Sequence, residues 1–288
     1  MVTVKAPAKL NLTLEVLAKR QDGFHEIRSV IQTVNLSDSL RFRLSQNVVF
    51  KCDVLDWIPE KSLVTKTASL LQKTTGCSKG ATIEISKRIP LVSGLGGDSS
   101  DAVATLRGLN KLWELGLSRE ELLDLAVQLG SDTAFFFYGG TAQVEGRGEI
   151  VTLLPSMPHM WVILVVPPVS RLPRKTERLY TSLRATHYTD GQITRKLVEE
   201  LEAGEEFTPS LLYNTFENVA FAHFSELRVY REHMVKAGAS NVQLAGSGPS
   251  LFTMIKDRIK AEELYTRLHR QGLETYLTDT LSTMEKIE

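Results

Sequence analysis

The N-terminal segment Val2–Val16 alternates apolar and polar positions, a pattern typical of a β-strand that buries one face. Pro7 lies inside this run and cannot donate a ladder hydrogen bond, so we expect an edge position or a bulge there. The same alternation predicts a strand pair over Leu40–Cys52 and a strand over residues 81–88. A further strand region should start at residues 139–140 and run to Leu154.

Apolar residues spaced three to four apart predict amphipathic helices in the first half of the chain. The predicted helices cover Leu63–Lys73, the segment that follows residue 100, and Ser118–Leu129. Ser118 and Glu121 have the spacing of a capping box, which favours a helix start at Ser118.

Four prolines between residues 155 and 168 interrupt the pattern and indicate a domain junction near residue 157. Beyond it the pattern predicts, in order, a strand, three helical segments, two strands, a helix and a strand: Trp161–Val166, Thr176–Leu183, Gly191–Ala203, Leu212–Ala237, Val242–Ala245, Ser250–Ile255, Ile259–Gln271 and Glu274–Thr278. This is the split βαβ order of a ferredoxin-like fold. We expect an α+β protein with domains at residues 1–157 and 158–288.

Length and composition narrow the class of protein. The 288 residues contain 34 basic and 34 acidic side chains, so we expect no nucleic-acid or membrane partner. The longest apolar run, Trp161–Val169, is nine residues and too short to span a bilayer, and the alternating N-terminus does not resemble a signal peptide. Cys52 and Cys77 cannot build a disulfide framework or a four-thiolate metal site, so we expect free thiols in a reducing cytoplasm.

The stretch IPLVSGLGGDSSDA joins a predicted strand to a predicted helix. Unpaired N–H groups and the positive end of a helix dipole attract anions at such a place. The loop has neither Walker A nor Rossmann spacing, so its glycines alone are compatible with a phosphate site or a simple tight turn. Ser99 and Ser100 favour a phosphate site because their hydroxyls add donors, although either could cap the helix instead.

Two other short motifs have both a structural and a functional interpretation. Gly246 and Gly248 lie between two apolar strands, and a hairpin turn explains them without any function. Asp132, in GSDTA before three consecutive phenylalanines, is either a helix N-cap or a partly desolvated acid.

Polar residues near the N-terminus are the remaining candidates. Lys9 and Asn11 lie two apart in a strand and therefore share one face, which is unusual within apolar alternation and typical of a binding cleft. His25, in DGFHE, follows a turn, and a surface turn with a satisfied histidine is the ordinary interpretation.

Together and in this order, the stretches PAKLNLTLEV, DGFHEI, IPLVSGLGGDSSDA, GSDTAFF and LAGSGPSLF resemble the GHMP kinase superfamily, whose members phosphorylate small alcohols with ATP. Within it, the sequence is most similar to the branch that acts on a cytidine-diphosphate-linked methylerythritol. The resemblance covers residues 5 to about 252. It implies a two-domain fold: an N-terminal domain like ribosomal protein S5 domain 2 and a C-terminal ferredoxin-like domain, with ATP and substrate between them.

The resemblance also implies roles for individual residues. Asp132 corresponds to the catalytic carboxylate that accepts the proton of the substrate 2-hydroxyl, and Lys9 stabilises the emerging alkoxide beside it. Asn11 would hold the methylerythritol end. Phe24 takes the place of an aromatic ring that stacks on cytosine, and His25 would read the cytosine edge.

The loop from Gly94 to Ser100 would wrap the ATP phosphates. The full nucleotide-binding set implied by the resemblance is Pro90, Val92, Ser93, Gly94, Leu95, Gly96, Gly97, Asp98, Ser99 and Ser100, and the C-terminal glycine loop would add Gly246, Ser247 and Gly248 to the substrate site. Magnesium would arrive with ATP without dedicated protein ligands. We expect a monomer or a weak homodimer.

Two positions, Asp98 and Ser62, and the segment RLPRKT at residues 171–176 depart from the pattern of the resemblance. Asp98 stands where a small residue is usual, and because a carboxylate repels phosphate we expect it to point away, cap the following helix or contact the metal. Ser62 replaces an asparagine that helps to hold adenine. Tyr180 is a candidate for a second stacking ring.

Two alternative functions stay open. One is another GHMP small-alcohol kinase, acting for example on homoserine or a mevalonate-like alcohol, although such kinases lack the Gly-Phe-His stretch. The other is a non-catalytic ligand sensor on the same scaffold, which the retained Lys9, Asp132 and glycine loops disfavour.

Overall fold

The computed structural model describes residues 1–169 and 172–282, so the last six residues of the predicted second domain lie outside the described part. The strands are β1 Val2–Lys19, β2 His25–Ser45, β3 Val49–Cys52, β4 Gly80–Ser86, β5 Thr141–Gly146, β6 Ile150–Leu153, β7 Trp161–Val165, β8 Tyr213–Asn214, β9 Gln243–Leu244, β10 Leu251–Ile255 and β11 Thr275–Asp279. The α-helices are α1 Leu63–Thr75, α2 Gly97–Trp113, α3 Arg119–Leu129, α4 Thr133–Tyr138, α5 Lys175–Ser182, α6 Gln192–Glu202, α7 Glu217–His223, α8 Leu227–Lys236 and α9 Arg258–Arg270. Short 3₁₀ turns cover Pro59–Lys61, Ala185–His187 and Pro209–Leu211.

The first sheet has seven strands and is organised around β2, which pairs antiparallel with β1 along its length, with β4 at one end and with β5 at the other. The register of β1 against β2 shifts between Pro7 and Ala8, which confirms the predicted irregularity at Pro7. Residues 29–34 of β2 are all buried, since both faces of the strand are covered. Alternation is absent there, and for this reason the hydrophobic pattern does not predict this part of the strand.

The predicted strand pair over Leu40–Cys52 is wrong as a pair. β4 lies between β2 and β3, and β3 runs parallel to β4. The residues that connect β2 to β3 pass close to Gly80. A Cβ added to Gly80 would lie only 2.5 Å from the backbone carbon of Gln46. A glycine at this position allows the chain to cross the end of β4 instead of folding back as a hairpin.

The second sheet has the order β11-β7-β10-β9 with antiparallel pairing throughout. In the chain order of these four strands this is 4-1-3-2, so the ferredoxin-like prediction is confirmed. The continuous helix predicted over Leu212–Ala237 is wrong: the segment contains β8, which pairs parallel with β1, and then two helices. Asn214 holds the extended start, because its amide donates to the carbonyls of Leu244 and Gly246 while its Oδ1 accepts from the Phe216 N–H.

The two halves of the chain meet in the first sheet. β8 lies beyond residue 157 but extends the first sheet, so the two halves share strands, and the boundary after residue 157 stays a prediction. The capping box of α3 is present, with Ser118 and Glu121 bonded reciprocally. None of the helices that the structure describes is long and apolar enough to cross a membrane.

Candidate active site

A cavity of about 1290 Å³ lies between the two halves of the chain. Its walls come from β1, from the loop between β4 and α2, from the start of α4, from α5, and from the turn between β9 and β10. Most residues that the sequence singles out line this cavity: Lys9, Asn11, Phe24, His25, Pro90, Val92, Ser93, Gly94, Gly96, Gly97, Asp98, Ser99, Asp132, Gly246 and Ser247. Leu95, Ser100 and Gly248 are not among its lining residues.

Lys9 and Asp132 form an ion pair in this cavity, with 3.2 Å between Nζ and Oδ2. Lys9 is only 4% exposed, and its ammonium also donates to Oδ1 of Asn11 at 2.7 Å. Asn11 in turn donates to Oγ of Ser29 at 2.9 Å. The two polar residues on one face of β1 therefore form a connected chain that fixes the ammonium next to the carboxylate.

Asp132 occupies the N-cap position of α4, but its side chain makes no capping hydrogen bond. The three phenylalanines that follow it are buried in the core, which anchors the backbone at this point. The carboxylate remains 40% exposed to the cavity while it contacts Lys9. It is thus an accessible, charge-paired carboxylate rather than a structural cap.

The loop between β4 and α2 brings its backbone against the N-terminus of a 17-residue helix. Gly96 is the N-cap residue with φ 75°, a left-handed conformation that glycine adopts readily, and Gly94 has φ 89°. Ser100 lies beneath the loop, and its buried Oγ has no hydrogen-bond partner among the described residues. An oriented helix N-terminus with a spare hydroxyl matches the chemistry of a phosphate cradle.

The two glycine loops pack backbone against backbone. A Cβ on Gly94 would lie 2.1 Å from the carbonyl oxygen of Ala245, and a Cβ on Gly246 would lie 2.7 Å from the carbonyl oxygen of Gly94. The Ser250 N–H donates to the carbonyl of Ser93 at 3.2 Å. The glycines between β9 and β10 thus form a turn. They also permit the close approach of the loop between β4 and α2.

Asp98 lies in the first turn of α2, but its carboxylate contacts the start of another helix, α1. Its carboxylate accepts from the Ser62 hydroxyl at 2.8 Å and from the Leu63 N–H at 3.1 Å, at the start of α1. Ser62 itself accepts from the Val64 N–H as the N-cap of α1. The acid that would repel phosphate is therefore held by the N-terminus of α1, away from the glycine backbone.

Another part of the cavity wall is aromatic. Phe24 is 51% exposed, and the guanidinium of Arg147 lies 4.6 Å from its ring centroid. His25 stacks on Tyr180, with ring centroids 4.7 Å apart. Burial, and to a smaller extent the charge of Lys19, lowers the pKa of His25, so its imidazole is neutral at physiological pH. A planar heterocycle fits such a compartment, with ring faces for stacking and a neutral imidazole for hydrogen bonding.

Two cavity-lining lysines carry no recognisable sequence motif. Lys87 forms buried ion pairs with Asp38 and with Asp101, and its Nζ lies 2.7 Å from Oδ2 of Asp101. Burial opposes its charge, but the two acids outweigh burial and raise the pKa of Lys87. Lys175 contacts the carbonyls of both glycine loops. A lysine at a strand end or a helix start is too common to be singled out without knowing its burial.

No cluster of three or more His, Cys, Asp or Glu side chains suited to a metal occurs in the described ranges 1–169 and 172–282. The donor set of the cavity fits a nucleoside triphosphate, since the N-terminus of α2 and the ammonium groups of Lys9 and Lys175 lie at the glycine loops. A magnesium ion would then have phosphate oxygens and water as its main ligands.

Comparisons with known proteins agree with this geometry. Residues 62–140 match the family of GHMP kinases N terminal domain, and residues 195–274 match GHMP kinases C terminal. The chain is 47% identical over 285 residues to the 4-diphosphocytidyl-2-C-methyl-D-erythritol kinase of Dehalococcoides mccartyi, covering 99% of this chain and 100% of that protein.

Solved structures give the same result. A crystal structure of 4-(cytidine 5'-diphospho)-2C-methyl-D-erythritol kinase superposes with a TM-score of 0.80 at 30% identity, covering 96% of this chain and 98% of that one. The L. major mevalonate kinase in complex with R-mevalonate has a TM-score of 0.73 at 15% identity over 99% and 97% of the two chains, which shows the shared fold alone. This chain belongs to the 4-diphosphocytidyl-2-C-methyl-D-erythritol kinase family of GHMP kinases.

Proposed function

We propose that the protein transfers the γ-phosphoryl group of ATP to the 2-hydroxyl of 4-diphosphocytidyl-2-C-methyl-D-erythritol, a step in the non-mevalonate route to isoprenoid precursors. The observation that carries this proposal is the Lys9–Asp132 ion pair, because it lies in one cavity with a glycine-rich helix N-terminus and an aromatic compartment. The membership of the family supports the choice of substrate.

In this mechanism Asp132 accepts a hydrogen bond from the 2-hydroxyl and orients its oxygen toward the γ-phosphorus. The new O–P bond forms as the bond to the bridging oxygen of ADP breaks, and the proton passes to Asp132 late in the transfer. Lys9 lowers the cost of the negative charge that develops on the attacking oxygen. Asn11 holds Lys9 in place through Oδ1, in addition to its expected contact with the methylerythritol end.

Positioning and charge neutralisation provide most of the catalysis in phosphoryl transfer, so few reactive side chains are required. The N–H groups at the start of α2 and the loop from Gly94 to Ser99 would hold the phosphates, and the buried Ser100 hydroxyl has no hydrogen-bond partner within residues 1–169 and 172–282. Magnesium that arrives with ATP would neutralise phosphate charge.

The cytosine would occupy the aromatic compartment. Phe24 and Tyr180 offer ring faces, and the neutral His25 offers one donor and one acceptor for the edge of the base. In this structure His25 covers a face of Tyr180, so base stacking on Tyr180 requires His25 to turn.

An ADP-release assay with purified protein, magnesium and ATP tests the proposal. We expect turnover with the cytidyl compound and none with uncytidylated methylerythritol phosphate, homoserine or mevalonate. Turnover with another alcohol would retain the roles of Lys9 and Asp132 but remove the cytosine site. Nucleotide binding without turnover of any alcohol would favour a ligand sensor. A monomeric or weakly dimeric state and a cytoplasmic location remain predictions.

A further inference from the structure

Lys175, in the first turn of α5, joins the two glycine loops. It is 7% exposed, and its ammonium donates to the carbonyl of Val92 at 2.8 Å and to the carbonyl of Gly248. Val92 belongs to the loop before α2, and Gly248 belongs to the turn between β9 and β10. A single side chain therefore bonds both walls of the phosphate end of the cavity.

Lys175 forms no ion pair with a carboxylate in the part of the chain that the structure describes, which is rare for a buried ammonium. Charged and titratable groups of the surrounding walls come from several elements: Lys9 of β1, Lys87 and Arg88 beyond β4, Asp132 at the start of α4, Glu177 and Tyr180 of α5, and Glu274 and Tyr276 at β11. Among these groups, Lys9 shifts the pKa of Lys175. Burial, and then the charge of Lys9, lowers the pKa of Lys175 to about 7.

We propose that Lys175 binds a phosphate group of the nucleotide and thereby fastens the two glycine loops around it. An ammonium has three N–H donors, and the two carbonyls occupy two of them, so one remains for a ligand that enters the cavity. Lys9 is paired with Asp132, so a protonated Lys175 is a positive charge that no carboxylate balances at this place, and a polyanion is the ligand that such a charge favours.

The inference rests on the proposed function, since it requires a nucleotide site, and it predicts proton linkage. A negative charge beside Lys175 favours its charged form and raises its pKa. Above pH 7 the free protein holds Lys175 largely neutral, so nucleotide binding should be accompanied by proton uptake. Below pH 7 Lys175 is already charged, and the uptake should vanish.

Titration calorimetry with Mg²⁺ and the non-hydrolysable analogue AMPPNP measures this uptake, from binding enthalpies at pH 8 in two buffers of different ionisation enthalpy. We expect wild type to take up most of one proton. Lys175→Arg should bind without uptake, because arginine is always charged. Lys175→Met should bind at least tenfold more weakly, which corresponds to about 1.4 kcal/mol, also without uptake. Lys111→Met, an exposed lysine on α2, is the matched control and should behave as wild type.

The possible results distinguish a failure of the role of Lys175 from a failure of the kinase assignment. If wild type binds AMPPNP without proton uptake, or if Lys175→Met retains wild-type affinity and uptake, the role of Lys175 is wrong while the kinase assignment stands. If wild type does not bind AMPPNP, both are wrong. If Lys175→Met does not fold, proton uptake by wild type and its absence in Lys175→Arg still test whether Lys175 gains a proton when the nucleotide binds.

Discussion

Replacing Gly94 by alanine perturbs the contact between the two glycine loops. Gly94 has φ 89°, and a Cβ there would lie 2.1 Å from the carbonyl oxygen of Ala245 and 2.9 Å from two backbone atoms of Gly248. These neighbours are main-chain atoms and cannot rotate away as a side chain would. The loops must therefore separate, which also displaces the backbone N–H groups that would receive the phosphates.

The expected loss of stability in Gly94→Ala is the sum of two free-energy costs. A non-glycine residue in the left-handed region costs about 1–2 kcal/mol, and overpacking adds about 1–3 kcal/mol, so Gly94→Ala should destabilise by roughly 2–5 kcal/mol. Gly76→Ala is the matched control. Gly76 has φ 68° at the C-cap of α1 with nothing within 4 Å of its Cβ position, so only the conformational cost applies.

Urea unfolding of both variants, together with the KM for ATP, tests this reasoning. We expect Gly94→Ala to be less stable than Gly76→Ala by about 1–3 kcal/mol and to raise the KM for ATP at least tenfold, whereas Gly76→Ala keeps the wild-type KM. Equal stabilities of the two variants with an unchanged KM for ATP would show that the close approach of the loops has no role in nucleotide binding.

Three further substitutions test other parts of the site. Asp132→Asn should lower kcat roughly 100- to 10,000-fold in the ADP-release assay while ligand binding survives, because the variant keeps its shape but cannot take the proton. Phe24→Ala should weaken binding of the cytidyl substrate by about 1–3 kcal/mol and leave the KM for ATP unchanged, because Phe24 belongs to the proposed cytosine site and not to the proposed phosphate site. Lys87→Met should reduce the free energy of unfolding by about 3–5 kcal/mol, because it leaves Asp38 and Asp101 buried without a cation. Because the pKa of Lys87 is raised, this difference should persist in urea unfolding up to the ordinary lysine pKa of 10.5 and decline only above it.

Matched exposed residues provide the controls. Asp124→Asn on α3 should keep wild-type turnover, and Lys111→Met on α2 should keep wild-type stability. A fully active Asp132→Asn protein would exclude Asp132 as the base. Equal losses of cytidyl and ATP binding in Phe24→Ala would exclude the stacking role, and an unchanged unfolding midpoint in Lys87→Met would show that the buried acids are neutral in the folded protein.

Residues of the candidate site could be predicted from the sequence where the residue type and the local backbone pattern both indicate a binding role. Residues whose environment depends on burial in the folded chain could not be predicted. Gly94, Gly96 and the start of α2 are recognisable because glycines before a helix have few conformational alternatives. Lys9 and Asn11 are recognisable because polar residues interrupt the apolar face of a strand. Lys87 and Lys175 are ordinary lysines in the sequence, and only the structure shows their low exposure and the groups around them.

The sequence by itself determined the elements with a clear period, among them β1, α3 and the four strands of the second sheet. Only the tertiary structure decided which strands pair, since period-two alternation shows which face is buried but does not identify the neighbour. It therefore decided that β4 separates β2 from β3 and that β8 joins β1. It also decided that Asp98 binds the start of α1 and that Lys9 reaches Asp132, because both contacts join residues far apart in the chain, whose separation in space depends on the packing of the whole fold.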